Sequence, residues 1–254
     1  MPKVKMQKVL SLIVLLAGCT TLVIPESFTY KQIKTTNFEI ASWQKITNPT
    51  ATYRIYIEGD GNAFNAYGKP TTDPTPKGIF MRNLAFADTK PNVIYLARPC
   101  QYIKRGICQQ RHWTSARFAP EIINAEYEVI KKIAGTNPVI LIGYSGGAQI
   151  VGLLAAAKTG LNIKKIITIA GNLDHLVWTQ YHNLPPLNES MNLADYQSQF
   201  AKIPQIHYVG EKDDIIPPSL SQQFINTPEN LIIIPNATHI KGWESIYPQI
   251  YADN

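Results

Sequence analysis

The chain reads as an α/β protein, a mostly parallel twisted sheet with helices on both faces. Three observations predict this. Short apolar runs rich in β-branched residues recur near Tyr53, Val93, Ile140, Ile166, Ile206 and Ile232, and a continuous apolar run of strand length suits a parallel strand buried on both faces. The segments between these runs are long enough for crossover helices, the connection that parallel neighbours require. About 236 residues remain after an amino-terminal leader, with no internal repeat or low-complexity tract, and one sheet of that length buries a substantial core as a single domain.

The elements follow in order. Residues 1–8 carry Lys3, Lys5 and Lys8 and no acid, and residues 9–17 are apolar apart from Ser11. This is the layout of a secretory signal, and it is too short for a membrane span, which needs about 20 apolar residues. The expected division is a signal at 1–18, a lipid-bearing tether at 19–27 and one α/β domain at 28–254. Residues 28–45 should form two antiparallel strands, with alternation around Phe38-Glu39-Ile40. A strand at 52–57 leads into Glu58-Gly59-Asp60-Gly61-Asn62, and another at 92–96 leads into the stretch bracketed by Cys100 and Cys108. The intervening residues 101–107 are polar enough for a surface excursion. Residues 120–133 read as a helix with Pro120 near its start and Ala134-Gly135 at its end. A buried strand at 138–142 precedes an Ala- and Leu-rich helix at 147–158. The strand at 163–170 is followed by 171–196, a polar, proline-bearing segment in the position of a small cap. Strands at 203–209 and 230–235 and a helix at 242–251 complete the chain.

Chemistry concentrates at Gly143-Tyr144-Ser145-Gly146-Gly147, between the 138–142 strand and the helix after it. A serine with glycine two residues away on each side, at a strand-to-helix junction, is the pattern of a nucleophile elbow. Such a turn strains the serine backbone and brings residues 143 and 147 so close that a Cβ on either would clash. The five residues alone could equally be a glycine-rich turn; the flanking strand and helix favour the elbow. A serine nucleophile needs a base and a carboxylate to orient it. Asp213 lies in Gly210-Glu211-Lys212-Asp213-Asp214-Ile215-Ile216-Pro217, and His239 lies just past the 230–235 strand. Both fall at carboxyl ends of strands, where an open α/β sheet places its catalytic groups. Of the other histidines, His207 is inside a strand, His112 precedes the serine, and His175 and His182 precede the acid.

On the elbow and the order Ser145, Asp213, His239, the chain from about Thr52 onward resembles the α/β-hydrolase superfamily. The resemblance implies that fold with a small cap or none, and acyl transfer to water through an acyl-enzyme on Ser145. Gly210-x-x-Asp213-x-x-Ile216-Pro217 looks like the superfamily's acid-residue turn, which favours Asp213 over Asp214. Two backbone N–H donors must hold the oxyanion; the position after the serine assigns one to Gly146, and the loop after the 52–57 strand assigns the other to Asp60. Many members carry His-Gly where this chain has Glu58-Gly59. The acidic side chains of Glu58 and Asp60 would oppose an oxyanion unless they point away or are paired; alternatively they recognise a cationic or hydroxylated substrate group. The loop at 64–76, with Phe64 and Tyr67, and the segment at 171–196, with Trp178 and Tyr181, are the expected walls.

Carboxylic ester hydrolysis is the expected activity, because esters are the broadest class on this fold, although peptidases and thioesterases share the constellation. A non-catalytic ligand-binding lipoprotein is the other class of reading, and it has no need of three such residues at three strand ends. Leu16-Ala17-Gly18-Cys19 looks like a bacterial lipobox. It implies an acylated Cys19 as the first mature residue, an enzyme anchored at the cell envelope by acyl chains, and, with Thr20 in place of aspartate, the outer membrane where there is one. In that oxidising setting Cys100 and Cys108 are expected to pair, which would stabilise the fold by roughly 2–3 kcal/mol; two reduced thiols are the alternative. No third and fourth ligand stand at zinc spacing, and no metal or cofactor is expected. Without the three leader lysines the net charge is +3, and no arginine-rich or aromatic-interleaved basic run points to nucleic acid. The expected partners are a small-molecule or polymer-borne acyl substrate and, through the anchor, a membrane.

Overall fold

The computed structural model describes residues 24–252. The signal segment and Cys19 lie outside the described residues, as does the tether up to residue 23. Strands β1 (Thr29–Lys34), β2 (Glu39–Ile46), β3 (Tyr53–Ile57), β4 (Asn92–Leu96), β5 (Pro138–Tyr144), β6 (Asn162–Ile169), β7 (Gln205–Gly210) and β8 (Leu231–Ile234) form one sheet in the order β1-β2-β4-β3-β5-β6-β7-β8. β1 and β2 pair antiparallel, as do β2 and β4; the remaining pairings are parallel. The fold is the mostly parallel α/β sheet that the sequence predicts.

Among the described residues the α-helices are α1 (Phe80–Ala87), α2 (Pro120–Ala134), α3 (Gly146–Ala156), α4 (His175–Tyr181), α5 (Gln197–Phe200), α6 (Pro218–Phe224) and α7 (Tyr247–Ala252). Alternation along β3 sends Ile55 and Ile57 into a core shared with Ile122, Ile130, Ile150 and Leu154 of α2 and α3. Tyr56 points the other way, into a core shared with Met81 and Leu84 of α1, Trp243 and Ile250. Covering both faces leaves the edges where the strands end as the place for chemistry, and the order β4-β3-β5 reverses the chain's progress at β3. Ligands in open α/β sheets bind outside the carboxyl ends at such a reversal.

Two local expectations change. Residues 242–251 do not form one helix; a 3-10 turn at Glu244–Ile246 precedes α7. Pro248 has no N–H, and inside a longer helix its ring would meet a carbonyl of the preceding turn, so it is accommodated only in the first turn of α7. The loop at 101–107 is not a surface excursion throughout, since Gln101 and Ile103 are buried. Gln101 takes a structural role: its Oε1 accepts from Arg98 N–H at 3.1 Å and its Nε2 donates to the Gly59 carbonyl at 2.9 Å. Cys100 and Cys108 are joined by a disulfide that closes this loop, with Cα atoms 5.6 Å apart.

Candidate active site

The elbow is built by steric exclusion. Ser145 sits between β5 and α3 with φ 52° and ψ −120°, a backbone conformation that side chains rarely adopt and that persists where its surroundings hold it. Ser145 N–H donates to the Ile169 carbonyl at 3.0 Å, and the Ser145 carbonyl accepts from Ala148 and Asn172. A Cβ on Gly143 would lie 2.5 Å from the Gly147 carbonyl oxygen, as expected of a turn this tight. At Gly147 the obstacle is different: a Cβ would lie 2.5 Å from the Ile57 carbonyl oxygen, at the end of β3. The second glycine therefore lets α3 start against the neighbouring strand.

Asp213 follows β7 and His239 follows β8, two and three strands beyond β5 in the sheet. His239 Nε2 is 3.0 Å from Ser145 Oγ, and Nδ1 is 2.9 Å from Asp213 Oδ2. Asp213 is buried, and its Oδ1 accepts from Ile215 N–H at 2.9 Å and Ile216 N–H at 2.8 Å. With Oδ2 left for the ring, the tautomer that satisfies all three groups carries its proton on Nδ1, donates it to Asp213 and accepts from the serine hydroxyl. Tyr144 Oη and Trp243 Nε1 both donate to the His239 carbonyl, at 3.0 and 3.3 Å. Burial, with Glu58 and Asp213 nearby, raises the Tyr144 phenol well above its ordinary range, so it stays neutral and serves as a donor. Asp214 is exposed. Among the described residues no other histidine bonds Ser145 or Asp213: His207 is buried with its ring nitrogens on Thr168 and Gln205, His112 and His175 are also buried, and His182 Nε2 lies 2.9 Å from the Ile215 carbonyl at the side of the Asp213 turn.

The loop after β3 passes directly against the elbow; a Cβ on Gly59 would lie 3.1 Å from the Ser145 Cβ. Among the described residues, the N–H groups of Asp60 and Gly146 have no protein acceptor, so both are free to bind an oxyanion. The two acidic side chains are dealt with separately. Glu58 turns into the protein, accepting from Tyr95 Oη at 2.7 Å and from Gly59 N–H at 2.9 Å. Burial raises its pKa, and Tyr95, Gly59, Arg82 and Arg98 only partly offset this. Asp60 instead accepts from Arg98 Nη1 on Oδ1 and from Arg117 Nη1 on Oδ2, the latter at 2.6 Å. Burial pushes the Asp60 carboxyl up, but Arg117 and Arg98 more than reverse this, and its pKa ends below the usual aspartate range.

A cleft of about 750 Å³ opens over the serine, lined by Ser145, His239 and Gly146 at its base and by Phe64, Ile79, Phe80, Trp178, Ile215 and Ile240 along its sides. Trp178, on α4, donates from Nε1 to the Ile215 carbonyl at 2.8 Å and so ties the 171–196 segment to the Asp213 turn. Leu187 and Leu193 of that segment are buried against the core. It covers one side of the cleft and leaves the mouth open. Sequence reasoning missed Arg98 and Arg117, which stand 38 and 57 residues from Asp60. The one available signal was that Arg98 follows β4 at its carboxyl end.

Residues 108–240 match the family "Serine hydrolase (FSH1)", a span that contains Ser145, Asp213 and His239. Among curated proteins no significant match is found. Solved structures with the same fold include an esterase of Pyrococcus furiosus, 16% identical with TM-score 0.58, covering 89% of this chain and 88% of that one. Another is XC6422 of Xanthomonas campestris, described as an α/β serine hydrolase without a lid, 13% identical with TM-score 0.53, covering 91% of this chain and 93% of that one. Est1E of Butyrivibrio proteoclasticus is 15% identical with TM-score 0.59, covering 89% and 94% respectively.

Proposed function

Because the chain belongs to the serine hydrolase (FSH1) family, within the α/β-hydrolase superfamily, we propose that it cleaves carboxylic esters at the bacterial cell envelope. The observation that carries this reading is the continuous relay from Ser145 Oγ through His239 to Asp213, at 3.0 and 2.9 Å, beside the two unoccupied N–H groups of Gly146 and Asp60. Ser145 Oγ attacks the acyl carbonyl as its proton passes to His239 Nε2. Asp213 stabilises the imidazolium that results, and the two N–H groups hold the tetrahedral oxyanion. His239 then returns the proton to the leaving alkoxide. The same steps with water as nucleophile release the acid and restore Ser145. The similarity to an esterase of Pyrococcus furiosus supports the ester assignment.

The domain runs from 28 to 254 in this reading, and acylation of Cys19 after removal of residues 1–18 tethers it to the envelope, in the outer membrane where the cell has one. Cys19 lies outside the described residues, so the tether rests on the lipobox-like Leu16-Ala17-Gly18-Cys19 alone. An open cleft with apolar sides suits acyl groups of varied length. The test is a panel of acyl-matched p-nitrophenyl esters, p-nitroanilides and thioesters. Esters should be turned over fastest, with activity lost in Ser145→Ala. Faster turnover of the anilide or thioester would give the enzyme to peptidases or thioesterases, and no turnover of any would favour a binding protein.

A further inference from the structure

Arg117 stands in the wall of the same cleft, in the loop before α2, and it is more tightly fixed than pairing with Asp60 requires. Its Nε donates to the Thr114 carbonyl at 2.8 Å and its Nη1 to Asp60 Oδ2 at 2.6 Å. The guanidinium carbon lies 5.3 Å from the ring centre of Phe64 and 5.9 Å from that of Trp178, two residues that also line the cleft. Among the described residues, Nη2 has no hydrogen-bond acceptor. The group is thus held on one edge and flanked by aromatic rings, with a donor left over beside the open space.

Two guanidinium groups also share one carboxylate, that of Asp60. Arg98 spends its Nη2 on the Arg117 carbonyl and does not line the cleft, so it has nothing to offer there. Lys77 adds a further positive group to the lining. Glu58, the other acid there, faces away from the cleft toward Tyr95 and Gly59. Arg117 is itself only 5% exposed; a buried positive charge that shares its carboxylate with a second guanidinium is costly, and a ligand anion would relieve it. Ile79, Phe80, Ile215 and Ile240 line the same cleft and make it largely apolar. The cleft combines cationic and apolar lining groups, which calls for an amphiphilic substrate.

Resting on the ester-cleaving reading above, we propose that Arg117 binds a singly charged oxyanion of the substrate, a carboxylate or a phosphate diester, a few bonds from the scissile carbonyl. The short reach follows from Asp60. Its Oδ2 holds Arg117, while its carboxylate packs on Gly146 so closely that a Cβ there would collide with it. One carboxylate therefore separates Arg117 from the proposed oxyanion donor. A single charge matches the one guanidinium that lines the cleft, that of Arg117.

The test compares three p-nitrophenyl esters of equal acyl length that end in a methyl group, a carboxylate or a methyl phosphate diester. The wild-type protein should use at least one anionic ester with kcat/KM about tenfold or more above the neutral one, as a charge-assisted hydrogen bond provides. The ester that benefits identifies the anion. Arg117→Gln should bring that ratio close to one, because its loss on the anionic ester exceeds its loss on the neutral one, and Arg117→Lys should keep part of it. A wild-type ratio of one or less, with the neutral ester turned over, overturns the anion site and leaves the ester reading standing. So does an equal loss on all three esters in Arg117→Gln, which would make Arg117 only a support for Asp60. Should Arg117→Gln fail to fold, the wild-type ratio and Arg117→Lys still decide. No turnover of any ester overturns both proposals.

Discussion

Replacing Asp213 with asparagine should leave the protein folded and lower kcat by about 10⁴-fold. The reason is a forced tautomer. Asp213 Oδ1 accepts from Ile215 N–H and Ile216 N–H at 2.9 and 2.8 Å, while Oδ2 faces His239 Nδ1 at 2.9 Å. Two backbone donors decide which way an amide can sit: its oxygen must take the Oδ1 place, since its NH₂ there would face two N–H groups. The NH₂ is then aimed at His239 Nδ1, which can accept only as the bare ring nitrogen. The imidazole proton moves to Nε2, the atom 3.0 Å from Ser145 Oγ that must take the serine proton. A nitrogen that already carries a proton cannot do so, and the amide also cannot stabilise an imidazolium. A 10⁴-fold loss corresponds to about 5.5 kcal/mol of barrier. The loss should fall on kcat more than on KM, because Asp213 is buried and absent from the cleft lining. Steady-state hydrolysis of p-nitrophenyl butyrate measures it, with a thermal melt to show the variant folded. Asp214→Asn is the control; its exposed side chain should make it change turnover by less than about twofold. Turnover in Asp213→Asn within tenfold of wild type, or a larger loss in Asp214→Asn, would refute the reasoning.

Three further outcomes are expected. Glu126 is fully buried with neither carboxyl oxygen hydrogen-bonded, and burial raises its pKa to about 8. A raised carboxyl pKa gives stability that is full below the unfolded value and lost as pH rises toward about 8, on the order of 5 kcal/mol at the limit. Glu126→Gln should accordingly raise the melting temperature at pH 8.5 more than at pH 5, and an equal change at both would contradict this. Replacing Cys100 and Cys108 together with alanine should cost roughly 2–3 kcal/mol in denaturant unfolding, and turnover should fall as well, since the released loop carries the Gln101 that holds the Gly59 carbonyl; unchanged stability would count against the bridge. Expression of the full chain in a bacterial host should yield a form beginning at Cys19 that partitions into detergent, and a mature terminus elsewhere would contradict the lipid anchor.

What the sequence made legible was whatever is local. The run at residues 138–142 and the glycines around Ser145 place the strand, the turn and the helix together, because steric limits on a tight turn act within five residues. Asp213 and His239 were legible by chain order and by standing at strand ends. The pairing of Asp60 with Arg98 and Arg117 was not, because it joins three separate loops and no periodicity encodes it. Burial of Gln101 was hidden for a related reason: its polar side chain is satisfied by backbone groups brought in by the fold, one of them from the Gly59 loop. At the last helix the apolar pattern was right and the boundary wrong, since Pro248 delays the α-helical turn. The sequence foresaw that Glu58 and Asp60 must point away or be paired, and the structure does one with each.

The most direct measurement is to label the purified protein with a fluorophosphonate and locate the adduct by peptide mass spectrometry. Attack by an activated serine traps the probe as a phosphonyl ester, so a single adduct is expected on the peptide that contains Ser145, with none formed in Ser145→Ala. An adduct on any other residue, labelling that persists in Ser145→Ala, or an unlabelled wild-type protein that is demonstrably folded would contradict the claim that Ser145, His239 and Asp213 form a working catalytic relay.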